Sequence, residues 1–332
     1  MIQEASRAFI RRDASFQICA VENGGKMKQL NYRFTVPEQK RVRILISTDA
    51  KNEADDQFAI AHHLMTPKFD VRGIIPAHFE TPFRNTGTSC QASLDEVRLV
   101  LKLMDLEGVC PVEKGADGPL KDETTPMDSP GARLIIQEAL REDARPLYIA
   151  CQGTLTDMAS AILLEPEICR HATCIWIGGG AYPEGGHEFN QDVDIAAANV
   201  VLSSEMPLWQ VPMNVYKQMS VSLAELQYKV APCGEIGKYL FEQMADFNLQ
   251  LANIPHWPHG EIWGLGDSPT IGVLMFESER KDVYETRPAP RVDPETSRYL
   301  PGNAPREIRV YQDANARLTL EDFFAKLAIN YG

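Results

Sequence analysis

Four carboxylates stand within eight residues of one another: Asp49, Glu53, Asp55 and Asp56, in the run Asp49-Ala50-Lys51-Asn52-Glu53-Ala54-Asp55-Asp56. Such groups repel one another, and burying them costs several kcal/mol apiece unless they are neutralised. Two readings follow. Asp55 or Asp56 can cap the helix that begins here, because a carboxylate at a helix N-terminus gains from the free N–H groups and the dipole. A cap needs only one of them. A divalent cation neutralises the whole group. Oxygen-only ligands suit Ca²⁺ or Mg²⁺, and a flexible set of carboxylates with a main-chain carbonyl favours Ca²⁺.

The surrounding pattern says what must position these groups. Short β-rich runs at Val42–Ile46, Val71–Ile75, Val109–Val112, Pro146–Cys151, Thr173–Gly178 and Pro207–Val211 are separated by helical stretches. Those stretches are Gln57–Met65, Ala92–Met104, Ala132–Leu140, Asp157–Leu164 and Ile195–Leu202. Apolar strands alternating with helices predict an α/β fold, an open, mostly parallel sheet with helices on both faces. Residues 41–332 are expected to form one such domain, with a helical C-terminal part up to Met275, then a polar tail, Val310-Tyr311 and a last helix from Leu320 to Ile329. Residues 1–40 read as an N-terminal extension, with strand-like pieces at Phe16–Cys19 and Asn31–Val36, that packs on the surface or on another subunit. Ligands in such sheets bind beyond the carboxyl ends of the strands. Asp49, His78, Gln152, Gly178 to Gly180 and Asn214 fall there.

Composition narrows the function. A net charge of −13 over 332 residues repels phosphate backbones and argues against a nucleic-acid partner. No apolar run reaches the ~20 residues that span a bilayer, and the first residues lack a secretory h-region. The seven cysteines form no CxxC pair, which predicts reduced thiols, a cytoplasmic location and no zinc. A phosphatase loop of the Asp-x-Asp type is excluded, because Lys51 stands two residues after Asp49.

Further segments match a known pattern in order. Ser47-Thr48-Asp49 and Asp55-Asp56 match the ends of an Asp-x-Asp-Pro-Gly-x-Asp-Asp loop, although Ala50 to Ala54 make its middle two residues longer. Pro111-Val112 with Gly115-Ala116 and Pro119-Leu120, then Gly153-Thr154-Leu155-Thr156-Asp157, then Glu188-Phe189-Asn190 with Asp194 and Ala196-Ala197 follow. Gly266-Asp267-Ser268-Pro269 stands where the pattern has His-Asp-Pro before an apolar helix. From about Arg41 to about Met275 the chain thus resembles the calcium-dependent, inosine-uridine preferring nucleoside hydrolases.

The resemblance implies an N-glycosyl hydrolase that cleaves ribonucleosides to ribose and free base and acts as a homo-oligomer. It implies Ca²⁺ held by Asp49, Asp56, Asp267 and the main-chain carbonyl of Gln152, with Asp49 also the general base. Asp55 is then expected to bond a ribose hydroxyl, and Glu188 and Asn190 to bind the sugar near O5′ and O3′. Asn52, in the lengthened loop, is a further candidate to reach the substrate. The pattern's histidine, which protonates the leaving base, is replaced by Gly266. His78, just past a strand, is the best substitute among the histidines, ahead of His187, His256 and His259. Trp257 and Trp263 are candidate aromatic walls, Trp263 with core packing as its alternative. The departures leave open a hydrolase of another ribosyl or glycosyl compound, or an inactive sugar- or nucleoside-binding relative.

Overall fold

The computed structural model describes residues 30–81, 85–254, 260–275, 283–302 and 306–332. Along the chain run β1 (Val42–Thr48), α1 (Asp56–Met65), β2 (Phe69–Pro76), α2 (Ser89–Leu103), α3 (Pro130–Ala139), β3 (Leu147–Cys151) and α4 (Thr156–Leu164). There follow β4 (Ala172–Ile177), α5 (Phe189–Val193), α6 (Ile195–Ser203), β5 (Leu208–Val211), α7 (Met213–Tyr216), β6 (Ser220–Ser222), α8 (Leu223–Lys229) and α9 (Gly234–Gln250). The chain ends with β7 (Ile262–Gly264), α10 (Pro269–Met275), β8 (Tyr284–Pro288), β9 (Pro290–Val292), β10 (Tyr299–Pro301), β11 (Glu307–Tyr311) and α11 (Ala316–Tyr331).

Seven strands form one sheet in the order β2-β1-β3-β4-β5-β11-β8, parallel except for β8, which pairs antiparallel with β11 at the edge. The two-residue period of a strand sends alternate side chains to opposite faces. Ile44 and Ile46 of β1 enter a core with Phe58 of α1, Val97 of α2 and Phe323 of α11. Leu45 enters the other, with Ile135 of α3, Met158 of α4 and Val201 of α6. All seven residues of β1 are buried, which is why it is mostly apolar; its Arg43 is buried too, with Nη1 donating to the Glu138 carbonyl at 2.7 Å. Each fully buried side chain of this size contributes about 1.5–3 kcal/mol relative to exposure.

The central strands match the sequence reading to within a residue or two. The differences lie at the margins. Val109–Val112 makes no strand; only Val112 bridges to Ile74. Asn31–Val36 is irregular and is held by side chains, with Tyr32 Oη donating to the Met65 carbonyl at 2.6 Å and Asn31 N donating to Asn330 Oδ1 at 2.8 Å. Phe16–Cys19 lies outside the described residues. The C-terminal part is helical but also holds the antiparallel pair β6–β7. The polar tail carries β8 to β10; β8 is an exposed edge strand and so lacks the apolar signal. The six described cysteines are buried and free, and among the described residues no helix is long and apolar enough to cross a membrane.

The strand order places the site. From β1 the chain steps outward to β2 on one side and later to β3 on the other, so the sheet's switch point lies between β1 and β3. A crevice opens there, outside the carboxyl ends of the strands. Register brings the two ends level: Ser47 pairs with Cys151, and Gln152 N donates to the Ser47 carbonyl at 2.8 Å. Asp49 and Gln152, one or two residues on, face each other across that crevice.

Candidate active site

The loop after β1 is built to hold its acids in place. Ala50 and Ala54 are fully buried, and their carbonyls accept from Gln57 Nε2 at 2.6 Å and Gln243 Nε2 at 2.7 Å. Asn52 N closes a turn on the Asp49 carbonyl at 2.7 Å. Asp56 then begins α1, where Thr48 Oγ1 donates to its Oδ1. Asp55 makes no side-chain cap at that helix. Main-chain amides around its carboxylate, its own and those of Gly266, Asp267 and Asp56, favour its ionised form, and the loop before α10 thus lies against this one. The capping reading thus fails for Asp55. Asp267 N-terminates α10 through its main chain: Thr270 Oγ1 donates to the Asp267 carbonyl at 2.8 Å. Its carboxylate is left to the cavity.

Carboxylate oxygens of Asp55, Asp56 and Asp267 lie within 4.8 Å of one another. Asp49, Glu53 and Asn52 line the same cavity, with Gln152, Glu188, Asn190 and Tyr216 opposite. Burial, then the neighbouring acids, pushes the Asp49 and Asp267 carboxyls well above the usual carboxylate range. Burial, then Asp55, pushes Asp56 and the half-buried Glu53 up to about 8. Burial raises Asp55 less, to about 6, because main-chain amides favour its ionised form. Asp49 Oδ2 is buried without a hydrogen-bond partner among the described residues. A buried, unsatisfied carboxylate oxygen in a group of like charges calls for a proton or a cation.

Gly153 makes room for Asp49. A Cβ there would stand 2.8 Å from both Cγ and Oδ1 of Asp49, while the indole of Trp176 holds the Gly153 carbonyl at 3.2 Å. Gly153→Ala is expected to shift the Asp49 carboxylate and lower kcat about 100-fold, since an error near 1 Å at a reacting group costs that much. Gly118→Ala, with nothing within 4 Å of the added methyl group, is expected to leave kcat within about twofold in the same assay. Equal rates for the two variants would sink the steric argument.

The sugar-side residues are organised from the β4 end. Glu188 caps α5 and is buried. Its oxygens accept Gly179 N at 2.7 Å, Gln191 N at 2.9 Å, Asn190 N at 3.3 Å and Tyr216 Oη at 2.9 Å. Asn190 Nδ2 donates to the carbonyls of Ile177 at 2.9 Å and Gln152 at 3.2 Å. That arrangement turns its amide oxygen toward acceptor duty. The Gln152 carbonyl has a second lone pair beyond that bond.

Two candidates lie elsewhere. His78 is fully buried but outside the cavity, with Nε2 on Thr156 Oγ1 at 2.9 Å and Nδ1 accepting Glu80 N at 3.2 Å. Burial pushes its pKa down to about 4, so it stays neutral and structural. It does follow a strand, but β2 ends one strand away from the β1/β3 crevice. Trp263 sits in the core, edge-on to Phe247 at 5.7 Å between ring centres. His187 is exposed and paired with Asp192 at 2.8 Å; His256, Trp257 and His259 lie outside the described residues. Tyr216 is the residue that sequence reasoning missed. Its signal was its place just past β5, a few residues beyond a strand end like the others. Burial and the nearby acids push its phenol far up, so it remains a donor.

A larger cleft of about 510 Å³ lies by the edge of β2. Its arginines are already matched: Arg72 and Arg141 bond Glu138, and Arg133 bonds Asp128.

Fold and site together define an α/β enzyme with a carboxylate cavity at the switch point of its sheet. A model of the inosine-uridine preferring nucleoside hydrolase family matches residues 44–313, and the chain belongs to that family. It is therefore an N-glycosyl hydrolase. The match extends beyond Met275, through β8 to β11. The pyrimidine-specific ribonucleoside hydrolase RihA of Escherichia coli K12 is 26% identical over 233 residues, 65% of this chain and 72% of that protein. A purine-preferring ribonucleoside hydrolase from Gardnerella vaginalis shares the fold, with a TM-score of 0.68 and 19% identity over 86% of this chain and 98% of its own. A plant nucleoside hydrolase, PpNRh1, does so with a TM-score of 0.66 and 18% identity over 86% and 99%.

Proposed function

We propose that this enzyme hydrolyses the N-glycosidic bond of ribonucleosides to ribose and free base, with Asp49 as general base beside a bound Ca²⁺. The observation that carries the reading is the buried carboxylate group at the β1/β3 crevice, with Asp49 Oδ2 lacking a partner among the described residues. The donor set fits a hard cation. It is all oxygen, it is over-supplied with negative charge, and it includes a main-chain carbonyl at Gln152. Asp49, Asp56, Asp267 and the Gln152 carbonyl would hold the ion. When bound, Ca²⁺ supplies positive charge among these acids and acidifies water in the cavity.

Asp49 takes the proton of the attacking water. Asp55 accepts from a ribose hydroxyl, and Glu188 and Asn190 grip the sugar from the opposite wall. Asn52 and Glu53 lie at the substrate's edge of the same loop. The acids beneath the ring favour the positive charge that develops on the sugar as the base departs. Gly266 in place of a histidine leaves activation of the leaving group to other residues or to an aglycone that needs none.

The test is a panel of purine and pyrimidine ribonucleosides and simple ribosides, scored for free ribose, with and without a chelator. Ribose release is expected to fall at least 100-fold on chelation and to return with Ca²⁺. No release from any panel member at saturating Ca²⁺ would refute the proposal.

A further inference from the structure

The wall facing the carboxylates contains a side chain that the reaction scheme above leaves without a role. Tyr216 closes α7, a single turn that follows β5 directly. Its main chain is held at both ends: Tyr216 N donates to the Pro212 carbonyl at 3.1 Å, and its own carbonyl accepts Met219 N at 3.1 Å. Val215 beside it is fully buried in the core. The turn therefore delivers the ring to the cavity in one place.

Two contacts define what the ring does there. Its hydroxyl donates to Glu188 Oε1 at 2.9 Å. Among the described residues the other group on that oxygen is Asn190 N, at a longer 3.3 Å, while Oε2 is held by two closer amides. The other contact is with Gly266. A Cβ at Gly266 would stand 3.2 Å from Tyr216 Cδ2 and 3.4 Å from Asp55 Oδ2. A side chain at 266 would crowd the ring, which must give by a few tenths of an ångström even for a methyl group and by more for a larger one.

We propose that Tyr216 is a positioning residue of this enzyme. Its ring occupies the space that the missing side chain at Gly266 leaves, and its hydroxyl fixes Glu188 Oε1 for the sugar. Gly266 and Tyr216 are thus one device, and the glycine is a condition for the ring. The second half rests on the reading of Glu188 as a sugar-binding residue.

Two arms test it, both on the full chain. The first reads melting temperature in chelator for the wild type, Gly266→His, Tyr216→Ala and the double variant. Gly266→His is expected to destabilise strongly alone and to cost less than half as much in the Tyr216→Ala background. Additive shifts would overturn the pairing. The second reads kinetics of Tyr216→Phe, which keeps the ring, on uridine and inosine and on their 5′-deoxy analogues. KM for the parent nucleosides is expected to rise about tenfold with kcat within about twofold, and the rise to vanish with the 5′-deoxy analogues. An equal effect on both substrate sets, or none on either, would overturn the role through Glu188. If the wild type cleaves no nucleoside, the proposed function falls, and the stability arm alone upholds or overturns the Tyr216–Gly266 pair.

Discussion

Asp49→Asn lowers kcat about 10³-fold and raises the melting temperature of the chelator-treated protein by about 2 °C or more; that is the expected result with the largest effect. The rate term follows from the role. A positioned general base contributes about 10²–10⁴-fold, and Asn cannot take a proton. The stability term has the opposite sign because Asp49 carries an electrostatic cost. Burial is the first cause of its raised pKa, and Asp56, Glu53 and Asp55 follow. An amide of the same shape needs neither a proton nor a cation to be buried there, and it keeps the packing against Gly153. Ribose release and calorimetry on the same preparation give both numbers. Full activity would dismiss Asp49 as the base. A lower melting temperature would mean that the carboxylate is held by stabilising contacts.

The chelator-treated protein is expected to lose stability as pH rises from about 4 to about 8, and Ca²⁺ to remove most of that loss. The sign follows from proton counting. Asp55 titrates at about 6, and Glu53 and Asp56 at about 8, in the folded protein. In the unfolded chain such groups titrate near 4. Between those values the folded state holds more protons than the unfolded state, so stability falls with rising pH. The contribution is complete below about pH 4 and gone above about pH 8. Ca²⁺ competes with those protons, and binding at a hundredfold excess over Kd adds about 2.7 kcal/mol. Its effect grows as the ligands deprotonate. The check is a melting curve at pH 5, 6, 7 and 8, with and without Ca²⁺. The gap between the two curves should widen with pH; parallel curves would sink the cation reading of the cluster.

Much of this was legible because buried parallel strands write themselves as apolar runs. Val42–Ile46 and Thr173–Gly178 have no solvent face to dilute the signal, and the chemistry follows them at Asp49 and at Glu188. The acids could be found from type and spacing. Asp55 also lies within the cluster with Asp56 and Asp267, which its expected sugar contact did not suggest. Local pattern cannot show a contact between loops so distant in sequence. His78 misled for a related reason. Position after a strand is visible in sequence, but the strand's place in the sheet is not, and β2 stands beside the crevice. Trp263 stands two residues after Glu261, yet its strand folds back onto β6 and takes the ring into the core. Tyr284–Pro288 stayed hidden because an edge strand can be polar on both sides.

The meeting of Asp267 with Asp55 and Asp56 also bears on the speed of folding. The acids of the first loop and Asp267 are far apart in the sequence, so their encounter is a non-local contact. Contacts of that kind slow folding, because the entropy of closing the long loop between them must be met before they reward it. Until then Asp49, Asp55 and Asp56 can stay hydrated and charged. Asp267 brings a further acid to a loop whose own carboxylates already repel one another. A cation held by acids of both loops would offset that repulsion and hold the finished site together.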